Sequence, residues 1–274
     1  MTQRTITRAL VYLALTVLGF SCVFPFLWMV STSLKDTVTL FIIPPQLIPQ
    51  DPTLANYLEL FIATDFFLWL RNSIIVCLFA VVLNLLTSSL AGYVFAKKKF
   101  PGSNILFIMV LSTIMIPFHV LLVPVFLIFS RLNLVNSYPG LIFPWVTGAL
   151  GIFIMRQYMG TIPDELLDSA KMDGCSEFGM LFRIMLPLCR PALSALAIFV
   201  FLNSWNNFLW PLILTTTGSM RTLPLGIALF QTEFTTRWGM LMAAATMSFI
   251  PILVFFVALQ RYFVEGITLT GLKG

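Results

Sequence analysis

The chain has 274 residues, of which 59% are hydrophobic and only 10% charged. A globular surface in water draws on about 25% charged residues, so the composition excludes a soluble domain and points to a polytopic membrane protein. The net charge of +5 is spread over short loops instead of being gathered in a patch, which argues against a nucleic-acid surface.

Arg4 and Arg8 precede a charge-free run from Ala9 to Leu34. The run is too long for a signal-peptide core and no small-residue cleavage site follows it, so it reads as a retained first span. A span needs roughly 20 apolar residues. Six stretches qualify, near Leu10–Ser31, Ser73–Phe95, Ile105–Phe129, Tyr138–Met155, Ala192–Leu214 and Gly239–Leu259. The uncharged run Thr37–Gln50 holds Pro44, Pro45 and Pro49 and is assigned to a loop. The first outer loop, Lys35 to Trp69, is long enough to cover the mouth of a pathway and serves equally well as a solvated connector. The short Arg131–Ser137 turn makes the third and fourth spans neighbours. Ser88 with Gly92, and Ala244 with Ser248, have the spacing that lets helices approach closely in lipid.

With the N-terminus in the cytoplasm, eleven Lys and Arg fall on that side, led by Lys97, Lys98 and Lys99. Five fall outside: Lys35, Arg71, Arg131, Arg221 and Arg237. The bias places both termini inside, with the lysine cluster as the strongest anchor. Cys22, Cys77, Cys175 and Cys189 show neither pairing nor metal spacing and read as reduced packing residues.

No Asp, Glu, Lys or Arg lies deep in a span, which disfavours a carrier that couples to buried ionisable groups. His119 is the one such candidate, with hydrogen-bonded packing as its default role. Asn203, Trp205 and Asn206, in the run Asn203-Ser-Trp-Asn-Asn-Phe-Leu-Trp-Pro211, combine amides with aromatic faces. That suits a hydroxylated solute; an interfacial aromatic belt and packing explain it better. No phosphate-binding glycine loop or hydrolase motif is present, so chemical energy has to come from another subunit.

The most charged stretch is Thr161 to Pro191. Thr161-x-x-Asp164 fits a capping-box variant, and Pro163 fits a first helical turn. Asp164 and Glu165 then lie at the positive end of the helix dipole. Gly174 suits a left-handed helix end, and Ser176 can cap a second helix running to Pro187. Ala170 and Gly174, four apart, are expected to share a small-residue face open to a partner.

This stretch resembles the EAA loop of binding-protein-dependent ABC importer permeases. Asp168-Ser169-Ala170 stands in the E-A-A places, Gly174 in the glycine place, and Ile184, Leu186 and Pro187 complete the pattern. Further likeness to the maltose G-type, carbohydrate-uptake branch lies in Phe24-Pro-Phe-Leu-Trp-Met29, Ser33-Leu-Lys35 and Arg71-Asn-Ser73. It continues in Ala91-Gly-Tyr93, Phe100-Pro-Gly102, Met115-Ile-Pro117, Trp205-Asn-x-Phe208 and the tail Gly266–Gly274.

The resemblance implies an all-α polytopic protein with six transmembrane helices, a type I ABC importer permease fold and a cytoplasmic coupling helix. It implies residues 1–69 as a first helix with outer loop, 70–260 as a transmembrane domain of five helices, and 261–274 as a cytoplasmic tail. Glu165, Asp168, Ser169, Ala170, Asp173, Gly174, Pro187 and Lys273 are the implied ATPase-coupling residues. The implied partners are a second permease, two cytoplasmic ATPase subunits, an extracytoplasmic solute-binding protein and membrane lipid, with no nucleic acid. ATP and Mg would be held by the ATPases, with no cofactor in this chain. The implied location is a bacterial inner membrane, and the implied function sugar import by alternating access. The alternative, from the residues alone, is a self-contained secondary carrier or channel.

Overall fold

The computed structural model describes residues 3–36, 43–231 and 236–270, with backbone alone for 3–6 and 262–270. The first half contains α1 (Gln3–Ser33), α2 (Ala55–Ala63), α3 (Phe66–Lys97), α4 (Ser103–Ser112), α5 (Phe118–Arg131), α6 (Tyr138–Ile142) and α7 (Ala149–Gly160). The second contains α8 (Glu165–Met172), α9 (Glu177–Gly179), α10 (Leu186–Leu188), α11 (Arg190–Trp205), α12 (Leu209–Leu214), α13 (Leu223–Ala228) and α14 (Trp238–Thr270). A π-helical turn, Met180–Met185, joins α9 to α10. Among the described residues there is no strand, only one isolated bridge between Gln231 and Thr236.

Three helical stretches are long and apolar enough to cross a membrane: Thr7–Ser33, Phe66–Lys97 and Trp238–Arg261. Three more are bent pairs, Ser103–Met115 with Phe118–Arg131 (100°), Tyr138–Trp145 with Ala149–Gly160 (45°), and Glu177–Leu188 with Arg190–Trp205 (81°). Counting each pair as one span gives six, the expected number. The last pair, however, joins the second helix of the Thr161–Pro191 element to α11, whereas the expected fifth span, Ala192–Leu214, covers α11 and α12.

Three of the expected spans are not continuous helices; the fourth is interrupted between Trp145 and Ala149. The third breaks at Ile116–Pro117. The ring of Pro117 bars the preceding residue from the helical region, and Ile116 is extended at φ −89° and ψ 113°. The fifth ends at Trp205 and resumes at Leu209. In the gap, the Oδ1 of Asn207 accepts from the N–H of Trp210 at 3.1 Å, giving the new helix a donor's partner at its start.

The chain forms two compact units, one of Met1–Phe67 with Gly226–Pro251 and the other of Leu68–Leu225 with Ile252–Gly274. In the first, the apolar window of α1 has no residue buried within the protein, as suits a lipid-facing helix. The chain leaving α1 is fastened by Asn56 of α2, whose amide donates to the carbonyls of Ser33 (2.9 Å) and Lys35 (2.8 Å). These are carbonyls at and just beyond the end of a helix, which need partners from outside it. The stretch between α1 and α3 therefore carries a packed helix and is more than a solvated connector.

The second unit is built around α3. The Ser88–Gly92 spacing is used as expected, against α7. A Cβ at Gly92 would sit 2.6 Å from Met155 Cβ, and one at Gly151 would sit 2.3 Å from Ser88 Oγ. Only glycine permits that approach. A buried apolar cluster of Val76, Phe129, Leu141, Trp210 and Leu214 packs in the same unit. The indole N–H of Trp210 donates to Gly140 O at 3.0 Å.

Candidate functional site

The Thr161–Pro191 element leaves α7 at Gly160. Its expected capping box is not formed. The Thr161 hydroxyl donates back to Tyr158 O at 2.8 Å, and Asp164 makes no cap bond. The Asp164 carboxylate is instead engaged by Lys97 Nζ at 2.6 Å, which holds it below the usual carboxylate pKa. Pro163 consequently precedes the helix rather than occupying its first turn.

α8 presents Glu165, Leu166, Asp168, Ser169, Lys171 and Met172 to the surroundings, and Met172 is 90% exposed. It ends as expected at Gly174, at φ +77°. The Cys175 N–H reaches back to Ala170 O (2.9 Å) and the Gly174 N–H to Lys171 O (3.1 Å), the paired bonds of a Schellman motif. This geometry separates two residues expected to share a face: Ala170 is buried within the protein, while Gly174 is exposed with nothing within 4 Å of its missing Cβ. The four-residue spacing loses its meaning once the backbone turns left-handed between them. Asp173, the last residue before the turn, is exposed.

Ser176 caps the second helix, its Oγ accepting from Gly179 N–H at 3.2 Å. Phe178 and Phe182 are exposed beyond it. Ile184 is half-buried and Pro187 exposed, just before the 81° bend into α11. The element therefore offers carboxylates, a bare glycine turn and scattered large apolar side chains.

The role of the lysine cluster goes beyond that of a surface anchor. Lys97, the last residue of α3, has only 4% of its side chain exposed. Its Nζ donates to Ile162 O (2.5 Å) as well as to Asp164. Lys98 Nζ meets Glu177 Oε2 at 2.5 Å, and the Tyr93 hydroxyl donates to the same oxygen at 3.0 Å. Lys99 is exposed.

The second group of expected residues is dispersed. His119 lies exposed in the first turn of α5, so it is neither a buried ionisable group nor a core residue of this chain. Asn203 and Asn206 are exposed, and their amides donate to the carbonyls one turn back, Phe199 O (2.7 Å) and Leu202 O (2.9 Å). Trp205 is 1% exposed and stacks on Phe201 at 5.4 Å, a packing residue and not part of an interfacial belt. Lys273 lies outside the described residues.

Asn203 does line a cavity of about 210 Å3 together with Asn84, Trp145, Thr147 and Phe199. Here the turn between α6 and α7 exposes carbonyls that α3 satisfies: Asn84 donates to Trp145 O (2.8 Å) and Thr87 to Val146 O (2.5 Å). Irregular backbone at membrane depth is tolerated where it is satisfied or lines a cavity, and both hold here.

A family model for the inner membrane component of binding-protein-dependent transport systems matches residues 84–269. The chain belongs to that family. This permease is 40% identical over 94% of its length, and 93% of the relative's, to the arabinooligosaccharides transport system permease protein AraQ of Halalkalibacterium halodurans. It is 34% identical, over the full length of both, to the trehalose/maltose transport system permease protein MalG of Thermococcus litoralis. Among solved structures, a chain of a bacterial ABC transporter involved in the import of the acidic polysaccharide alginate matches with a TM-score of 0.85. That match covers 96% of the permease and 99% of the other chain at 20% identity, so it speaks for the fold. The family resemblance read from the Asp168–Pro187 pattern is borne out, as is the type I permease fold. The protein is a permease subunit of a binding-protein-dependent ABC importer.

Proposed function

We propose that this permease imports a sugar or sugar-like solute as one of two membrane subunits, driven by two separate ATPase subunits and fed by an extracytoplasmic binding protein. The sugar assignment rests on the named substrates of its relatives, arabinooligosaccharides and trehalose or maltose among them. The observation that carries the coupling role is the exposed helix–glycine turn–helix of Glu165 to Leu188. In this reading Glu165, Asp168, Ser169, Met172, Asp173 and Gly174 enter a cleft on the ATPase. Ala170 packs beneath them, and Pro187 marks the end of the moving element. The tail with Lys273 adds a second ATPase contact.

ATP binding closes the ATPase dimer, the element moves with it, and the spans open outward to receive solute. Hydrolysis resets the inward-facing state, the cycle of alternating access. ATP and Mg are held by the ATPases. The Asn203 cavity lies along the solute path, with Asn206 and His119 facing the second permease and Trp205 supporting the path from behind. Both termini are cytoplasmic, on the side of the Lys97–Lys99 cluster, which is supported by the meeting of that cluster with Asp164 and Glu177. The segments 1–69, 70–260 and 261–274 act as anchor with outer loop, transport domain and tail.

The test is purification of the detergent-solubilised chain at native expression, with partners identified by mass spectrometry. Recovery of an ATPase and a second permease supports the reading. Recovery of the chain alone, or as a homodimer, overturns it.

A further inference from the structure

We propose that Lys97 and Lys98 clamp the coupling element to the end of α3 at two points, its entry and the start of its second helix, so that element and span move as one body. The inference rests on the coupling role proposed above and names the residues of this chain that would transmit the motion.

Lys97, the last residue of α3, and Lys98, the residue that follows it, reach the entry of the element and the start of its second helix. Lys97 holds the entry, through Ile162 O and Asp164 Oδ1. Lys98 holds the second helix at its first residue, through Glu177 Oε2. Tyr93, one turn earlier on α3 and 5% exposed, donates to that same oxygen, and the Lys98 ammonium sits 5.3 Å from the centre of its ring. A single attachment would leave the element free to pivot when pushed at Met172–Gly174. Two attachments remove the pivot and pass the displacement to α3.

The rest of the linkage is closed by covalent and steric contact. α7 runs directly into the element at Gly160, and α3 is held against α7 by the Gly92–Met155 and Gly151–Ser88 approaches. Along α3 and the second helix, by contrast, runs an apolar groove of about 620 Å3 lined by Leu90, Val94, Phe95, Phe178 and Leu181, with Lys98 and Glu177 at its edge. Where the groove separates the helices, the polar bridge joins them. Lys97 and Lys98 are positioning residues, since they act through the element.

The experiment uses the whole importer in lipid nanodiscs, with Cys22 and Cys175 replaced by Ser. Spin labels are placed at Lys99→Cys on the end of the α3 side and Arg183→Cys in the second helix, both exposed positions. With the clamp intact, the label distance is one narrow distribution, the same without nucleotide and with Mg-ATP and vanadate. In Lys97→Met with Lys98→Ala a second distance appears, shifted by about 5 Å or more, while the ATPase still co-purifies and ATP hydrolysis stays within about twofold. The charge-reversed pair Lys98→Glu with Glu177→Lys restores the narrow distribution, which a merely structural lesion would not do.

A narrow distribution that survives loss of both lysines overturns the clamp. So does loss of ATPase binding in the lysine variants alone, which would make the lysines docking residues. If the ATPase fails to co-purify even with the intact chain, the coupling reading fails, and the nucleotide-free distances still decide the clamp.

Discussion

Two polar regions stand out from this apolar chain, and the structure uses them in opposite ways. In the Thr161–Pro191 element the charges make long-range pairs, Lys97 with Asp164 and Lys98 with Glu177, while the rest of the carboxylates stay exposed. In the Asn203–Pro211 run, Asn203 and Asn206 bond the carbonyls one turn back, and Trp205 and Trp210 are buried. A side chain satisfied by its own helix fastens nothing else. A side chain satisfied by another element sets how two elements move together. The charge pairs tie the first region to the end of α3; in the second, the two amides stay within their own helix while the Trp210 indole reaches across to Gly140 O.

That contrast is broken most directly at Gly174. Gly174→Trp should reduce uptake in the assembled importer by more than tenfold with ATP hydrolysis retained. Gly174→Ala should have a smaller effect, since there is open space for the methyl and only the left-handed backbone, at about 1–2 kcal/mol, opposes it. Unchanged uptake by Gly174→Trp would remove the main support for docking at this turn.

The α3–α7 contact that would carry the motion onward is the next target. Gly151→Leu should lower thermal stability in detergent by the roughly 1–3 kcal/mol typical of overpacking, because even a Cβ meets Ser88 Oγ and Asn84 Oδ1. A melting temperature equal to that of the parent would mean the two helices can separate at little cost.

In the second region the two tryptophans sharpen the comparison. Trp210→Phe removes the donor to Gly140 O and should cost about 1 kcal/mol. Trp205→Phe should cost less, since its buried indole N–H has no hydrogen-bond partner among the described residues and only packing is lost. Reversal of that order in chemical denaturation would show that stacking on Phe201 outweighs the hydrogen-bond difference. Asn206→Leu should change stability by no more than about 0.6 kcal/mol, the average for a membrane hydrogen bond, because the amide serves only its own helix.

The smallest effect expected is that of pH on Asp164. Lys97 depresses its folded pKa, so the pair's contribution is complete above the ordinary value of 3.8 and is lost as pH falls through the lowered value. The label distance between residues 99 and 183 should therefore be flat from about pH 8 to pH 5 and change only in stronger acid. A change between pH 7 and pH 5 would point to a group other than Asp164.

Much of this was legible in the chain. The apolar stretches, the described part of the proline loop (43–50), the helix end at Gly174 and the Ser176 cap depend on hydrophobic run length and local backbone preference, and each lies where expected, with the third, fourth and fifth stretches broken within. The break at Pro117 was written in the sequence as well, in the rule that the residue before proline leaves the helix. It was masked by the continuous apolar character of Ile105–Phe129. The broken fifth span was harder to see, because Asn206 and Asn207 carry no strong breaker signal.

The sequence by itself determined that the protein lives in a membrane, which segments are helical, and that one charged helix–turn–helix is kept outside the apolar spans. These follow from composition and from interactions within a few residues along the chain. The tertiary structure alone decided that Lys97 and Lys98 pair with the entry of that element and the start of its second helix, that Ala170 faces inward while Gly174 faces out, and that His119 is exposed. Each of those depends on which distant segments meet. A side chain's ion-pair partner some seventy positions away leaves no periodic trace in its own neighbourhood.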